Sequence, residues 1–146
     1  MPIVKTWLVP DKIMLVDHIG KLSVEDFERH LEETIEMLDK SPGIVHTIST
    51  YVKMEGMPKG SLDQFKNLGR VMRHPKLGWS ANVGLKPLFA FIYKIMMKTF
   101  GMKFAQFSSI EEAQSFLLQV DQLQAQTQKS EATPESDSQE PQKPVQ

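Results

Sequence analysis

The sequence contains no cysteine, which excludes disulfide bonds, thiolate metal ligands and cysteine nucleophiles. Long hydrophobic runs are missing too, because the most apolar stretch of the chain holds only six uninterrupted apolar residues, Leu88–Tyr93. A membrane-spanning helix needs about 20 mainly apolar residues, so we do not expect one. The first residues also lack the basic start and the long apolar core of a signal peptide. These absences predict a cytoplasmic protein that reaches a membrane only as a peripheral protein.

Motifs for catalysis and metal binding are also missing. The four histidines are His18, His30, His46 and His74. None of them has a second histidine or a carboxylate at the spacing of a zinc-binding helix, and no Gly-x-Ser-x-Gly, phosphate-loop or dinucleotide-binding motif is present. Asp17 and His18 are adjacent on a predicted strand, where their side chains point to opposite faces. We therefore expect no enzymatic activity, no catalytic residues, no metal site and no cofactor.

The net charge of −1 hides a strong segregation of charge along the chain. Residues 1–52 carry a net charge of −4, whereas residues 53–103 carry a net charge of +8. The remaining residues carry a net negative charge. A basic segment attracts anionic partners such as phospholipid surfaces. The acidic helices of the same fold could equally neutralise it, so both interpretations stay open.

The spacing of apolar residues predicts an α/β domain. Alternating and β-branched runs predict five strands, at residues 3–9, 13–19, 44–52, 78–84 and 102–107. Apolar residues three and four apart predict four helices, which begin near residues 24, 62, 87 and 110. The resulting order is ββαβαβαβα, and its opening hairpin predicts a mixed rather than a purely parallel five-stranded sheet.

Domain limits and helix starts follow from local composition. Ser23, Ser61 and Ser109 are predicted N-caps because an acidic or amide side chain follows each of them three residues later. Residues 1–126 are predicted to form the single domain. Residues 127–146 are polar and cannot bury enough surface to offset the entropy of ordering, so we predict a disordered tail.

The helix predicted at residues 87–100 is unusually apolar. Pro87 suits its first turn, and Gly101 is a natural stop. Lys94 and Lys98 are four residues apart and share one stripe, whereas almost every other side is apolar. A helix on one face of a sheet needs an apolar stripe of only about 100°. The surplus predicts a second contact, unless the whole apolar surface is core and the lysines mark the solvent side.

Four stretches of the chain resemble the SpoIIAA-like branch of the STAS superfamily. They are Trp7 in the first strand, Gly20–Phe27 (GKLSVEDF), His74–Trp79 (HPKLGW) and Phe107–Leu117 (FSSIEEAQSFL). The resemblance covers about residues 1–120 and implies a STAS/SpoIIAA-like fold without enzymatic activity. It implies either a regulatory protein partner, as for anti-anti-sigma factors, or the lipid and membrane binding suggested for other small members.

The resemblance also places a candidate phosphorylation site at Ser61. Anti-anti-sigma factors carry their regulated serine at the start of the helix after the third strand, inside an Asp-Ser-Ser/Thr-Gly run. Here Gly60 precedes Ser61 and Leu62 follows it, so the aspartate and the glycine of that run are both missing. These departures favour a helix N-cap over a phosphoserine.

The apolar and basic helix at 87–100 is the predicted binding element. We expect it to bind an anionic membrane surface or a lipid-like ligand. The predicted contact residues are Phe89, Ile92, Lys94, Met96, Met97, Lys98, Phe100 and Lys103. The alternative is a regulatory protein–protein interaction module, anti-anti-sigma-like or a homodimer, that uses the same helix. Nucleic acid is a weaker partner, because the phenylalanines interleave with aliphatic residues instead of forming a stacking platform.

Overall fold

A five-stranded mixed sheet lies at the centre of the fold. The computed structural model describes the backbone of residues 3–56 and 62–139 and the side chains of residues 3–56 and 67–127. The elements are β1 (Ile3–Val9), β2 (Ile13–His18), β3 (Gly20–Lys21), α1 (Val24–Lys40), β4 (Val45–Thr50), β5 (Met54–Gly56), α2 (Leu62–Met72), β6 (Leu77–Val83), α3 (Pro87–Thr99), β7 (Phe104–Phe107) and α4 (Ile110–Gln139). The ββαβαβαβα order and the five long strands are confirmed.

The strands of the main sheet are ordered β1-β2-β4-β6-β7. β1 pairs with β2 in antiparallel register, and the other three pairings are parallel. Each parallel connection leads to the neighbouring strand through a helix. Because such crossovers are right-handed, α1, α2 and α3 all fall on the same face of the sheet. One buried cluster accordingly joins Met14 of β2, Leu31 of α1, Val45 of β4, Met72 of α2 and Met97 of α3.

A second, two-stranded sheet pairs β3 with β5 and was not predicted. Gly20 has a φ angle of 71°, a left-handed conformation that glycine adopts without strain, and it turns the chain away from β2. The Gly20 amide donates to the Lys53 carbonyl at 2.9 Å, and the Leu22 amide donates to the Gly56 carbonyl at 3.1 Å. Met54–Gly56, where the sequence predicted neither a strand nor a helix, therefore forms a short strand.

The predicted N-caps of α1 and α4 are confirmed. The Ser23 hydroxyl accepts from the Asp26 amide at 3.1 Å, and the Asp26 carboxylate accepts from the Ser23 amide at 3.1 Å. The Ser109 hydroxyl accepts from the Glu112 amide at 3.1 Å. Ser61, the third predicted cap and the candidate phosphorylation site, lies outside the described residues.

The last helix runs past the predicted domain limit. The limit at residue 126 falls inside α4, which continues to Gln139. The chain divides into two compact units: Met1–Gln114 contains the main sheet with α1–α3, and Ser115–Gln146 contains the rest of α4. The separate polar tail stays a prediction. None of the helices in the described part of the chain is long and apolar enough to cross a membrane.

Candidate binding site at the third helix

The apolar helix predicted at residues 87–100 is α3, which connects β6 to β7. Lys86 is its N-cap and makes no side-chain capping bond, whereas Pro87 opens the helix with a φ angle that suits the first turn. Gly101, with a φ angle of 67°, follows the last turn and ends the helix. Proline and glycine therefore set the limits of α3, as the sequence predicted.

One side of α3 faces the sheet and α2. Met97 is fully buried (0% exposed), and Tyr93 and Phe100 pack against the same buried cluster. The Phe100 ring lies against α2, where a Cβ atom placed on Gly69 would be only 3.3 Å from the ring. The guanidinium carbon of Arg73 lies 5.2 Å from the centroid of the Phe100 ring. This side of α3 is core.

The opposite side of α3 is also apolar, and it is exposed. Leu88, Phe91, Ile92 and Ile95 are 65%, 60%, 47% and 52% exposed. Their spacing of three and four residues puts them on one face, which we call the outer stripe. Contiguous exposed apolar surface on a protein commonly marks an interaction site. The second apolar side that the sequence predicted therefore exists and faces outward.

Four lysines on or next to α3 have no ion-pair partner among the described residues. Lys86, Lys94, Lys98 and Lys103 are all exposed, and none of them forms an ion pair with any described residue. Two other described cations of the basic segment have carboxylate partners. Arg70 of α2 lies 3.2 Å from Glu32 of α1, and Lys53 lies 3.7 Å from Asp17. The acidic helix thus neutralises part of the basic segment, and the part around α3 stays positive.

The eight predicted contact residues separate into three groups. The lysines Lys94, Lys98 and Lys103 are exposed beside the outer stripe. Ile92 belongs to the stripe and also borders a cavity, together with Phe89 and Met96. Met97 and Phe100 pack into the core instead, because they lie on the inward side of α3. The binding role of the exposed residues stays a prediction.

A cavity of about 380 Å³ lies between the sheet and the three helices. Its apolar walls come from all three helices, with Phe27, Leu31 and Met37 of α1, Leu68, Val71 and Met72 of α2 and Phe89, Ile92 and Met96 of α3. Its polar lining is formed by His18, His30, Thr34, Thr47, Ser49, Tyr51, Ser80 and Tyr93. The volume falls in the range of small-molecule binding sites in proteins, which are apolar with a few polar groups.

Three aromatic side chains, His18, His30 and Tyr51, form a cluster in the lining of this cavity. The His18 ring stacks on Tyr51 with 4.4 Å between centroids, and it meets His30 edge-on at 5.8 Å. His18 Nδ1 donates to the Thr50 carbonyl at 3.1 Å, so its proton is on Nδ1. Nδ1 of His30 is buried and has no hydrogen-bond partner among the described residues.

Burial keeps the titratable groups of the cavity uncharged. It lowers the pKa of His18, and it lowers the pKa of His30 to about 3, with a further contribution from the positive charge of Lys5. Burial also raises the pKa of Tyr93 to about 12 and raises the pKa of Tyr51. The cavity lining is therefore neutral near pH 7.

The other two histidines connect structural elements. His46 Nδ1 accepts from the Trp79 amide at 2.9 Å and so joins β4 to β6. His74 Nδ1 accepts from the Lys76 amide at 3.1 Å, and His74 Nε2 donates to the Asp39 carboxylate of α1 at 2.7 Å. Within the described residues, no group of three or more His, Asp and Glu side chains is placed to hold a metal ion.

The sequence interpretation missed the cavity and its polar lining. A signal was present in β4, which reads Val-His-Thr-Ile-Ser-Thr. Central parallel strands are normally near-continuous apolar runs, because helices or other layers cover them. Thr47, Ser49 and Tyr51 instead place hydroxyl groups at alternating positions on the face that carries the helices. Such a departure from the expected pattern often marks a functional site.

Comparisons with known proteins give matches at the level of structure. No protein-family model and no curated protein matches the chain. Among solved structures, a DUF3478-family protein with a SpoIIAA-like fold from Shewanella loihica PV-4 is 19% identical, with a TM-score of 0.58 over 79% of this chain and 91% of that one.

Two structures of SpoIIAA itself match over the same 79% of the chain. The anti-sigma factor antagonist SpoIIAA in its unphosphorylated form is 12% identical, with a TM-score of 0.59 over 96% of its length. The Bacillus cell fate determinant SpoIIAA in its phosphorylated form is 9% identical, with a TM-score of 0.57 over 98% of its length. At these identities the likeness concerns the fold. The chain therefore has a SpoIIAA-like fold, which the sequence resemblance predicted.

Proposed function

We propose that this protein is a non-enzymatic binding module that docks on an anionic membrane surface through α3. The observation that carries the proposal is the outer stripe, four large apolar side chains that are 47–65% exposed on one helix face. Four lysines with no ion-pair partner in the described part of the chain lie on or next to the same helix. A helix with an apolar face and flanking cations lies in the interface of anionic membranes, where its apolar side enters the boundary of the acyl chains.

The two kinds of side chain make separate contributions to binding. Apolar residues such as Phe91 and Ile95 leave water when they enter the interface, which favours binding to any lipid surface. Each lysine near an anionic surface contributes about 1 kcal/mol and does so only at low or moderate ionic strength. Binding should therefore depend on lipid charge and on salt, whereas the apolar contribution should depend on neither.

We also propose that the protein binds a lipid-like ligand, and the cavity beneath α3 supports this part of the proposal. Phe89, Ile92 and Met96 of α3 border it, so the same helix has one side at the outer stripe and another at the cavity. An apolar cavity next to an exposed apolar face suits a module that takes up an apolar molecule at a membrane surface.

Sedimentation with anionic and neutral vesicles tests the docking proposal. We expect the protein to sediment with anionic vesicles and to be released by salt. The double variant Lys94→Glu with Lys98→Glu should weaken binding by about 30-fold or more, since two contributions of about 1 kcal/mol are lost. The matched control is Lys12→Glu with Lys40→Glu, which changes the net charge equally at two exposed positions outside α3.

The outcome that contradicts docking is the absence of a salt-sensitive preference for anionic vesicles. An equal loss of binding in the control variant would also contradict it, because binding would then follow net charge alone. Phe91→Ser with Ile95→Ser, which leaves all lysines in place, should weaken binding to both kinds of vesicle.

The second candidate is a regulatory protein–protein interaction module that uses the same outer stripe. The solved structures with this fold favour it more than they favour membrane docking, since one of them is an anti-sigma factor antagonist. The partner would be a protein or a second copy of this chain. Light scattering over a wide concentration range tests the homodimer. A strict monomer at high concentration contradicts that form, whereas a dimer that Phe91→Ser dissociates supports it.

A further inference from the structure

The described lining of the cavity beneath α3 is uncharged. Among the described residues that border it there is no aspartate, glutamate, lysine or arginine. Its histidines and tyrosines are neutral near pH 7, as burial disfavours their charged forms. This lining contrasts with the outside of the same helix, where Lys94 and Lys98 flank the outer stripe.

The polar groups of the lining are concentrated on the strands. His18 of β2, Thr47 and Ser49 of β4, Tyr51 just after β4 and Ser80 of β6 face the cavity from the sheet. The helices contribute mainly aliphatic, aromatic and methionine side chains on the other sides. The cavity therefore has apolar walls and a floor on which neutral hydroxyl and imidazole groups lie beside the apolar side chains of Met14, Val16 and Leu77. A ligand that fits both must be mainly apolar and must carry a neutral hydrogen-bonding group.

We propose that the cavity binds an uncharged, mainly apolar molecule with one hydroxyl or carbonyl group and excludes ionised amphiphiles of the same chain length. The inference rests on the proposed function, because it names the chemical class of the lipid-like ligand.

The physical reason is the cost of desolvating a charge. An ionised carboxylate or ammonium group loses its hydration in a low-dielectric cavity, and the described residues of the lining offer no opposite charge to compensate it. A hydroxyl or carbonyl group loses much less and regains a hydrogen bond from the floor. Methionines such as Met72 and Met96 adapt to apolar ligands of different shape, so the selection acts on charge more than on shape.

A set of three ligands with the same alkyl chain tests the proposal without vesicles. Binding of decanol, decanoate and decyltrimethylammonium is measured by calorimetry with the full chain near neutral pH. We expect decanol to bind at least about tenfold more tightly than either ion, because the ions leave an uncompensated charge in the cavity. Equal affinities, or tighter binding of an ion, overturn the proposal. No binding of decanol also overturns it.

A charge placed inside the cavity should invert the selectivity. Met96→Lys introduces a cation into the lining, so decanoate should gain affinity relative to decanol. The matched control is Ile95→Lys, which adds the same charge to the exposed outer stripe and should leave the ratio unchanged. An unchanged ratio in a folded Met96→Lys protein contradicts the cavity as the binding site.

A variant that fills the cavity tests the assigned binding site without changing its charge. Ser49→Phe adds a ring on the floor of the cavity and should abolish decanol binding while it preserves sedimentation with anionic vesicles. Decanol binding that survives in the folded variant contradicts the assigned site. Failure of membrane docking leaves the calorimetric result standing, because no vesicle is present. Failure of decanol binding likewise leaves the sedimentation result standing.

Discussion

The helices α1 and α3 lie on the same face of the sheet, but their outward sides differ in polarity. α1 buries Leu31, Thr34 and Leu38 and presents mainly acidic side chains to solvent. Its charges pair with neighbouring elements, such as Glu33 with Lys5 of β1 and Glu32 with Arg70 of α2. α3 fully buries only Met97 and presents its outer stripe to solvent, with lysines that have no partner among the described residues.

The two helices differ in how much of their sequence the fold explains. The sequence of α1 is accounted for by folding, because its apolar side is covered and its polar side is solvated and paired. The sequence of α3 is not accounted for by folding alone, because exposed apolar side chains add nothing to the stability of the isolated molecule. Its start also lacks the side-chain cap that Ser23 gives to α1. This contrast is what the proposed interaction through the outer stripe would explain.

The largest effect expected from this comparison is on stability at the two sides of α3. Met97→Ala should lower the free energy of unfolding by about 2–5 kcal/mol, because it removes a fully buried side chain and leaves a cavity. Ile95→Ala, at an exposed position of the outer stripe, should change it by no more than about 0.5 kcal/mol. Urea unfolding followed by circular dichroism measures both.

The two variants serve as controls for each other because they lie two residues apart on the same helix. A large loss of stability in Ile95→Ala would mean that the outer stripe is covered within the molecule. The claim that the outer stripe is exposed and available to bind a partner would then be wrong.

A further effect on stability is expected from pH, and it distinguishes the buried titratable groups of the two helices. His30 of α1 has its pKa lowered to about 3 in the folded protein, from an ordinary value of 6.5. The unfolded chain therefore binds a proton that the folded protein does not bind between these pH values. The stability due to neutral His30 is complete above about pH 6.5 and falls by up to about 1.4 kcal/mol per pH unit below it.

His30→Leu isolates this contribution. The variant should show a shallower fall of the free energy of unfolding between about pH 6.5 and pH 4 than the original protein does. On α3 the buried titratable group is Tyr93, whose pKa is raised to about 12 and which does not titrate in acid. Tyr93→Phe is therefore the control and should leave the acid slope unchanged. Identical slopes in the original protein and in His30→Leu would contradict burial of a neutral His30.

Much of this fold could be predicted from the sequence, because its periodic signals are strong. The alternating residues of Ile3–Val9 and the capping box at Ser23 each specify one local structure, and both are present. The limits of α3 follow in the same way from Pro87 and Gly101. The two-stranded sheet of β3 and β5 was not predictable, since each strand is too short to show a period and depends on a contact between distant parts of the chain.

The candidate site was predictable only in part. The excess of apolar residues on α3 indicated an outer stripe, but periodicity cannot say which apolar side meets the core. For that reason Met97 and Phe100, which pack inward, were grouped with exposed residues such as Lys94. The cavity could not be predicted at all, because it depends on how three helices are spaced over the sheet.

The most direct test of the central claim compares the outward sides of α1 and α3 at a membrane. Because the chain has no cysteine, Phe91→Cys on α3 and Glu36→Cys on α1 each provide one position for an environment-sensitive fluorophore. With anionic vesicles, we predict a blue-shifted, brighter emission from the label at residue 91 and no change from the label at residue 36. Unchanged emission at residue 91, or equal changes at both positions, would contradict docking through α3.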